Sequence, residues 1–158
     1  MGGTIEFIDP AYDQINKELL KLDASIDSYL RSIIKPHFDV STETVTNKDS
    51  RDIDGNDREK LAKAISETPH NNIVVTHGTF TMRETGEFLE QNAWPDKKII
   101  LTGSMIPIIG FAASDAGFNL GFAIASFDSI EPGVYLSMNG GIFKSEEVAK
   151  NTSLFRFE

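Results

Sequence analysis

The fold is indicated most directly by Ile73–Thr79, which has the sequence I-V-V-T-H-G-T. A short, mostly β-branched run of this kind predicts a buried parallel strand, and the glycine after it predicts a turn. Met82–Gln91 follows with the apolar spacing of a helix. The same succession returns at Lys98–Ser104, after which Ser114-Asp115 is predicted to cap another helix. This alternation predicts a parallel sheet covered by helices.

Segments on either side of this region extend the alternation. Tyr12–Ile34 has apolar residues at intervals of three and four, which predicts a helix, and His37–Thr46 alternates in the manner of a strand. Asn56 or Asp57 is predicted to cap a further helix, and Val134–Met138 is predicted as the last strand. Together these elements predict one three-layer, doubly wound α/β domain with a mainly parallel sheet, of the Rossmann or flavodoxin type.

Small and polar residues follow three of the predicted strands. Gly78-Thr79, Gly103-Ser104 and Asn139-Gly140-Gly141 each come directly after a strand. Ligands of such folds bind outside the carboxyl ends of the parallel strands. The pattern therefore predicts a site at this edge of the sheet, lined by hydroxyl groups and backbone N–H groups.

Composition excludes several other kinds of protein. The 158 residues include 15 Lys and Arg against 24 Asp and Glu, a net charge of −9, which argues against a broad surface for nucleic acid or anionic membranes. There is no cysteine, so a disulfide framework, a thiol nucleophile and a Cys-ligated metal are excluded. No His, Asp and Glu group has metal-ligand spacing, and no segment resembles a signal peptide or a membrane span. A cytoplasmic protein without a metal is predicted.

The candidate catalytic residues have structural alternatives when judged from the residues alone. Thr79 at a strand end is placed to be a reactive hydroxyl, but its spacing also favours capping of the next helix. His77 is either a base or a structural hydrogen-bonding residue. Asp49-Ser50 is either a substrate contact or a polar turn. Composition alone gives Lys150 no special role.

Several motifs resemble those of the L-asparaginase/glutaminase family. Gly2–Ile5 is similar to the family's first threonine motif, T-G-G-T-I, and Ile73–Thr85 is similar to the second, I-x-x-T-H-G-T-D-T-M-E-E-T. Ile100–Pro107 and Ser114–Leu120 resemble the stretches V-G-A-M-R-P and A-D-G-x-F-N-L, and Lys150 matches the catalytic lysine. These matches keep the family's order over nearly the whole chain.

The resemblance implies a catalytic set. Thr4 would be the nucleophile, Thr79 with Lys150 would handle protons, and backbone N–H groups near Gly3 and Gly78 would form an oxyanion hole. The implied reaction is hydrolysis of L-asparagine, or of L-glutamine, to the acid and ammonia through an acyl-enzyme and without a cofactor.

The resemblance also implies a substrate-binding set. Ser50, next to Asp49, would hold the α-carboxylate of the substrate, Ser104 would contact the amide, and Tyr12 would be the lid residue. At Phe80 the chain departs from the family, which has an aspartate there that binds the α-ammonium group.

The resemblance assigns residues 1–158 to a domain like the N-terminal domain of asparaginases. This domain is expected without the strand that precedes the first threonine motif and without a second domain. Because the second domain completes a neighbour's site in the family, a homo-oligomer, a dimer or larger, is expected. The alternative to an amidohydrolase is an asparaginase-fold protein that binds an amino acid or related ligand without turnover. A nucleotide or phosphate binder is a third reading, from fold analogy alone.

Overall fold

The main sheet contains four strands, and the computed structural model describes Met1 and residues 3–6, 25–109 and 113–158. The strands are β1 (Asn72–Thr76), β2 (Lys98–Thr102), β3 (Gly133–Met138) and β4 (Gly141–Phe143), and they lie side by side in that order. The first three are parallel, and β4 returns antiparallel to β3. The predicted α/β class and mainly parallel sheet are confirmed.

Four α-helices accompany the sheet in the part of the chain that the structure describes. They are α1 (Ile26–Ser28), which continues as a π-helix over Tyr29–Ile34, α2 (Gly55–Glu67), α3 (Met82–Glu90) and α4 (Ala116–Ser126). Two further short strands, β5 (Lys150–Asn151) and β6 (Arg156–Phe157), form an antiparallel pair near the end of the chain. Within the described ranges, no helix is long and apolar enough to cross a membrane.

Side chains alternate between the two faces of the sheet along each strand. Different helices cover these two faces. One face, with Val75, Leu101 and Leu136 in register, packs in the core cluster that contains residues of α2 and α3. The neighbouring positions, Val74 and Ile100, pack on the other face with residues of α4. The sheet is therefore the middle of three layers.

The two crossovers in this sheet have opposite hands. Strands β1, β2 and β3 are parallel and adjacent in chain order, but α3 connects the first pair across one face and α4 connects the second pair across the other. One crossover thus departs from the right-handed rule. The chain leaves β1 and β2 towards opposite faces, which opens a crevice outside the carboxyl ends of these two strands. That crevice lies where Gly78-Thr79 and Gly103-Ser104 were predicted to form a site.

One predicted strand is wrong. Residues 37–46 include several bends, no strand pairs with them in the described part of the chain, and most of their side chains are exposed. The Val40 carbonyl oxygen accepts a hydrogen bond from Arg31 Nη2, and Thr42 Oγ1 donates to Asp27. Side chains of α1 thus take the place of a partner strand. Alternating polarity indicates that a segment has an apolar side and a polar side. A β-strand also needs a second strand to pair with, and the alternation does not indicate one.

Several predicted boundaries also move. The predicted helix Tyr12–Ile34 is helical from Ile26, and its earlier part lies outside the described residues. Helix α2 is capped by Asp54 rather than by Asn56 or Asp57. Asp57 instead completes a capping box, because its carboxylate accepts the Asp54 N–H at 3.2 Å.

Candidate active site

Four segments that are distant in sequence meet at Gly78, in the turn after β1. A Cβ atom on Gly78 would lie 2.6 Å from the Ser50 side chain, and one on Gly3 would lie 2.4 Å from the Gly78 nitrogen. Gly103, after β2, packs so closely on His77 that a Cβ atom there would lie 2.3 Å from the His77 carbonyl oxygen. Glycine at these positions allows three backbone segments to approach the turn directly.

Thr79 and Lys150 are hydrogen-bonded across this crevice. Lys150 Nζ donates to Thr79 Oγ1 at 2.7 Å, although 71 residues separate the two in sequence. Partial burial lowers the pKa of the Lys150 amine below its ordinary value. Thr79 is buried, and its hydroxyl is used in this pair. Thr81 occupies the N-cap position of α3, but its hydroxyl donates to Ser50 O instead of capping the helix.

The strand pair β5–β6 holds Lys150 in place. Residues Ala149 and Glu158 exchange two backbone hydrogen bonds, of 2.8 and 3.0 Å. Val148 is almost completely buried in the main core cluster, which anchors the chain immediately before this pair. The backbone of Lys150 is therefore fixed by main-chain pairing and by the buried Val148 side chain. Placing the amine in the crevice then costs only the conformational entropy of the lysine side chain.

Phe80 and the turn at Asp49–Asp52 form one wall of the crevice. The Phe80 N–H donates to Ser50 Oγ at 3.2 Å, and the ring is 55% exposed. Lys150 Nζ lies 4.0 Å from the ring centroid, and Arg51 Cζ lies 5.0 Å from it. Arg51 also forms two side-chain hydrogen bonds with Asp49, which help to lower the pKa of that carboxyl to about 2.

A chain of buried hydrogen bonds fixes the orientation of the Gly78 peptide. His77 Nδ1 donates to Gly78 O at 2.7 Å, so the other ring nitrogen, Nε2, accepts from Thr85 Oγ1 at 3.0 Å. Thr85 Oγ1 in turn accepts from Arg58 Nε at 3.1 Å. Burial lowers the pKa of His77 to about 4, so the imidazole is neutral near pH 7. The Gly78 carbonyl points at the ring, and in a trans peptide the Thr79 N–H points the opposite way.

Asn119 connects the second side of the crevice to the β5–β6 pair. Its Nδ2 donates to Gly103 O at 2.9 Å and to Asp115 Oδ2 at 3.0 Å, and its Oδ1 accepts the Asn139 N–H at 3.0 Å. Asn139 Oδ1 then accepts the Phe157 N–H, also at 3.0 Å. The Asp115 carboxylate accepts backbone N–H groups of the loop after β2 rather than capping α4 with its side chain. The side-chain amides of Asn119 and Asn139 thus link the turns after β2 and β3 to β6.

The structure brings most of the predicted site residues to this crevice. Thr4 begins a short 3-10 turn directly after Gly3, which touches Gly78, and Ser50 touches the same glycine. Ser104 follows Gly103, but its hydroxyl donates to Ile106 O at 2.7 Å, inside its own loop. Tyr12 lies outside the described residues. The roles assigned to all of these residues stay predictions.

No role was predicted for Arg58, Thr85 or Asn119, which support the site. Arg58 and Thr85 act through His77, and Asn119 acts through backbone groups, one of which is the N–H of Asn139. Asn119 gave a signal, since it is a polar residue four positions after Asp115 in a mostly apolar helix and lies in the family-like stretch Ser114–Leu120. Among the described residues, no group of three or more His, Asp and Glu side chains is placed to hold a metal ion.

Comparison with known families identifies the chain. Residues 1–156 match the family described as "Asparaginase, N-terminal". The chain belongs to the asparaginase family. It is 34% identical to L-asparaginase 2 of Escherichia coli (strain K12) over an alignment of 125 residues that covers 76% of this chain and 36% of that protein. It is 30% identical to a probable periplasmic L-asparaginase of Haemophilus influenzae over an alignment of 159 residues that covers 96% of this chain and 45% of that protein.

Solved asparaginase structures have the same fold. The thermostable L-asparaginase from Thermococcus kodakarensis has a TM-score of 0.81 and 29% identity, with 100% of this chain and 48% of that chain covered. A probable cytoplasmic L-asparaginase from Campylobacter jejuni has a TM-score of 0.75 and 29% identity, with 100% and 49% covered. The chain thus spans about half the length of these asparaginases, and the family resemblance found in the sequence is confirmed.

Proposed function

We propose that this protein is an asparaginase-like amidohydrolase that converts the side-chain amide of L-asparagine, or of L-glutamine, to the acid and ammonia. The observation that carries the proposal is the 2.7 Å hydrogen bond between Lys150 Nζ and Thr79 Oγ1. This pair lies at the turn against which the backbone before Thr4 packs. A hydroxyl nucleophile needs a partner that moves its proton, and a partly buried amine with a lowered pKa is suited to that task.

In the proposed reaction, Thr4 Oγ1 attacks the amide carbon and the carbonyl oxygen becomes an oxyanion. The carbon–nitrogen bond then breaks, the nitrogen takes up a proton, and ammonia leaves an ester on Thr4. Water attacks this ester, which releases the acid and restores the threonine hydroxyl. Thr79 and Lys150 transfer the protons in both halves, since the lowered pKa of Lys150 increases the neutral fraction of its amine.

The orientation of the Gly78 peptide supports an oxyanion hole at the same turn. His77 holds the Gly78 carbonyl towards the interior, so the Thr79 N–H points away from the buried ring. A backbone donor fixed in this way is pre-organised for a negative charge that develops during the reaction. One such donor changes kcat by roughly 10²–10³-fold in acyl-transfer enzymes.

The proposed substrate-binding residues have different degrees of support. Ser50 lies against Gly78, and its hydroxyl is next to the crevice because it accepts the Phe80 N–H. The Asp49 carboxylate is hydrogen-bonded to Arg51, so we propose that Asp49 positions the turn that carries Ser50 and does not bind the substrate itself. Ser104 contributes its backbone, since its hydroxyl is bonded to Ile106 O.

The proposal is tested by ammonia release from L-asparagine and L-glutamine. Thr4→Ala and Lys150→Met are each expected to lower the rate by at least about 10²-fold, because each removes a group that reacts or moves a proton. Lys144→Met is the matched control: Lys144 Nζ also lies over an aromatic ring, 3.9 Å from that of Tyr135, but next to Gly133 at the start of β3. Circular dichroism checks the fold of each variant. Equal rates in all four proteins would reject the proposed roles.

A second candidate function is supported by Phe80. An aromatic ring next to two cations is also a surface on which a ligand binds without being cleaved. A binding protein would be stabilised against heat by the amino acid and would release no ammonia from it. Assembly into a homo-oligomer stays a prediction, which light scattering of the purified protein tests.

A further inference from the structure

The wall of the crevice at Phe80 carries positive charge and an aromatic ring. The backbone of Phe80 is held at the crevice by the hydrogen bond from its N–H to Ser50 Oγ. Lys150 Nζ and Arg51 Cζ both lie over this ring, at 4.0 and 5.0 Å from its centroid. The aromatic face, which would attract a ligand cation, is thus already used by two side chains of the protein.

The Asp49 carboxylate in this wall is already paired. Asp49 accepts two hydrogen bonds from the Arg51 side chain, at 2.9 and 3.0 Å, and a third from the Arg51 backbone at 2.9 Å. Lys150 has no carboxylate partner among the described residues, and its hydrogen bond goes to the Thr79 hydroxyl. Asp49 and Arg51 neutralise each other, so the described part of the wall offers one cation without an acidic partner, Lys150, together with hydroxyl groups and the ring.

This arrangement discriminates between the two charged groups of an amino acid. An ammonium group that leaves water needs an anionic partner, but here Arg51 already holds the Asp49 carboxylate, and the ammonium group would face the Lys150 amine instead. Two like charges about 4 Å apart repel by roughly 1–4 kcal/mol in water or near a protein surface. A carboxylate at the same place is attracted by the Lys150 amine, and an uncharged group packs on the exposed ring.

We propose that the crevice selects an amide that carries a carboxylate but no free α-ammonium group, either because the amino group is absent or because it is acylated. This inference rests on the proposed amidohydrolase function and replaces L-asparagine as its preferred substrate. Phe80 is the specificity-determining residue, because it stands where the family resemblance implies an aspartate that binds a free ammonium group. Arg51 occupies the Asp49 carboxylate, which is then not free to pair with an ammonium group.

The test compares kcat/KM for ammonia release from L-asparagine, N-acetyl-L-asparagine and succinamate, the amide that lacks the α-amino group. The unmodified protein is expected to favour succinamate or N-acetyl-L-asparagine over L-asparagine by at least about tenfold, as the unfavourable ammonium contact implies. Phe80→Asp supplies an acid at this position and is expected to reverse the order. Phe80→Leu, an apolar replacement of similar exposure, is the matched control and is expected to keep it.

Each outcome distinguishes this inference from the proposed function. A preference of the unmodified protein for L-asparagine, or an unchanged order in Phe80→Asp, would overturn the substrate class while the amidohydrolase function stands. If no amide is cleaved, the proposed function fails, and thermal stabilisation by succinate and by L-aspartate decides the inference. Stabilisation by succinate at lower concentration supports it, whereas equal or stronger stabilisation by L-aspartate, or none by either, overturns it.

Discussion

Two polar clusters at the carboxyl end of the sheet differ in how completely their groups are hydrogen-bonded. In the Asn119 cluster (Asp115, Asn119 and Asn139), both atoms of the Asn119 amide bond to backbone groups, and Asn119 is 1% exposed. In the Lys150 cluster (Thr79, Phe80 and Lys150), the amine is partly exposed and bonds to one hydroxyl among the described residues.

The difference separates the scaffold of the crevice from the groups available for chemistry. A fully bonded buried amide has no capacity left for a ligand, but its removal leaves several backbone groups unpaired. A lysine amine with donors to spare and a lowered pKa can exchange protons and bind. We therefore expect changes in the Asn119 cluster to act mainly on stability, and changes in the Lys150 cluster to act mainly on turnover.

The largest expected effect on stability is that of Asn119→Leu. This change leaves Gly103 O and the Asn139 N–H without their partner inside the protein. We expect the free energy of unfolding to fall by about 3 kcal/mol, because each unpaired buried group costs about 1–3 kcal/mol. Asn56→Leu on the exposed side of α2 is the control and is expected to change stability by less than about 0.5 kcal/mol. Urea denaturation measures the free energy of unfolding of both variants. Similar denaturation midpoints for the two would show that the Asn119 cluster does not stabilise the fold as expected.

A smaller effect is expected from the titration of His77. Its pKa is about 4 in the folded protein and 6.5 in the unfolded chain, so the unfolded state binds more protons between these values. Stability is therefore present above pH 6.5 and is lost as the pH falls towards 4. The expected loss from this group between pH 7 and pH 5 is about 2 kcal/mol.

His77→Asn should remove most of this loss, since asparagine does not titrate. His70→Asn is the control because His70 is exposed in the folded protein, and it should keep the loss. Urea denaturation of the three proteins at pH 7 and pH 5 provides the comparison. A loss that is equal in all three would show that His77 is not the group responsible.

The sheet could be predicted because its strands are short apolar runs that end in glycine, and each run carries its own signal. Residues 37–46 gave a different signal, an alternation typical of a strand, without becoming one, because pairing depends on a neighbour that no local pattern encodes. The opposite hands of the two crossovers also could not be predicted from the sequence, since the amphipathic spacing of a helix does not show which face of the sheet the helix covers.

Individual residues of the site could be predicted from the sequence, but most of the contacts between them could not. Gly78 and Gly103 marked the crevice because the backbone there admits no side chain. The contact between Lys150 and Thr79 spans 71 residues, so only the family resemblance pointed to it. The pairing of Asp49 with Arg51 was also unexpected, because a polar turn predicts exposure and not the partner that each carboxylate takes.

The central claim, that Thr79 and Lys150 act as one unit in amide hydrolysis, is tested most directly by a double-mutant cycle. Ammonia release is measured for the unmodified protein, Thr79→Val, Lys150→Met and the double variant, with the substrate that the unmodified protein cleaves fastest. We predict that the double variant is about as slow as the slower single variant, since residues that act as a unit are strongly non-additive. Losses that multiply in the double variant, or single variants as active as the unmodified protein, would contradict the claim.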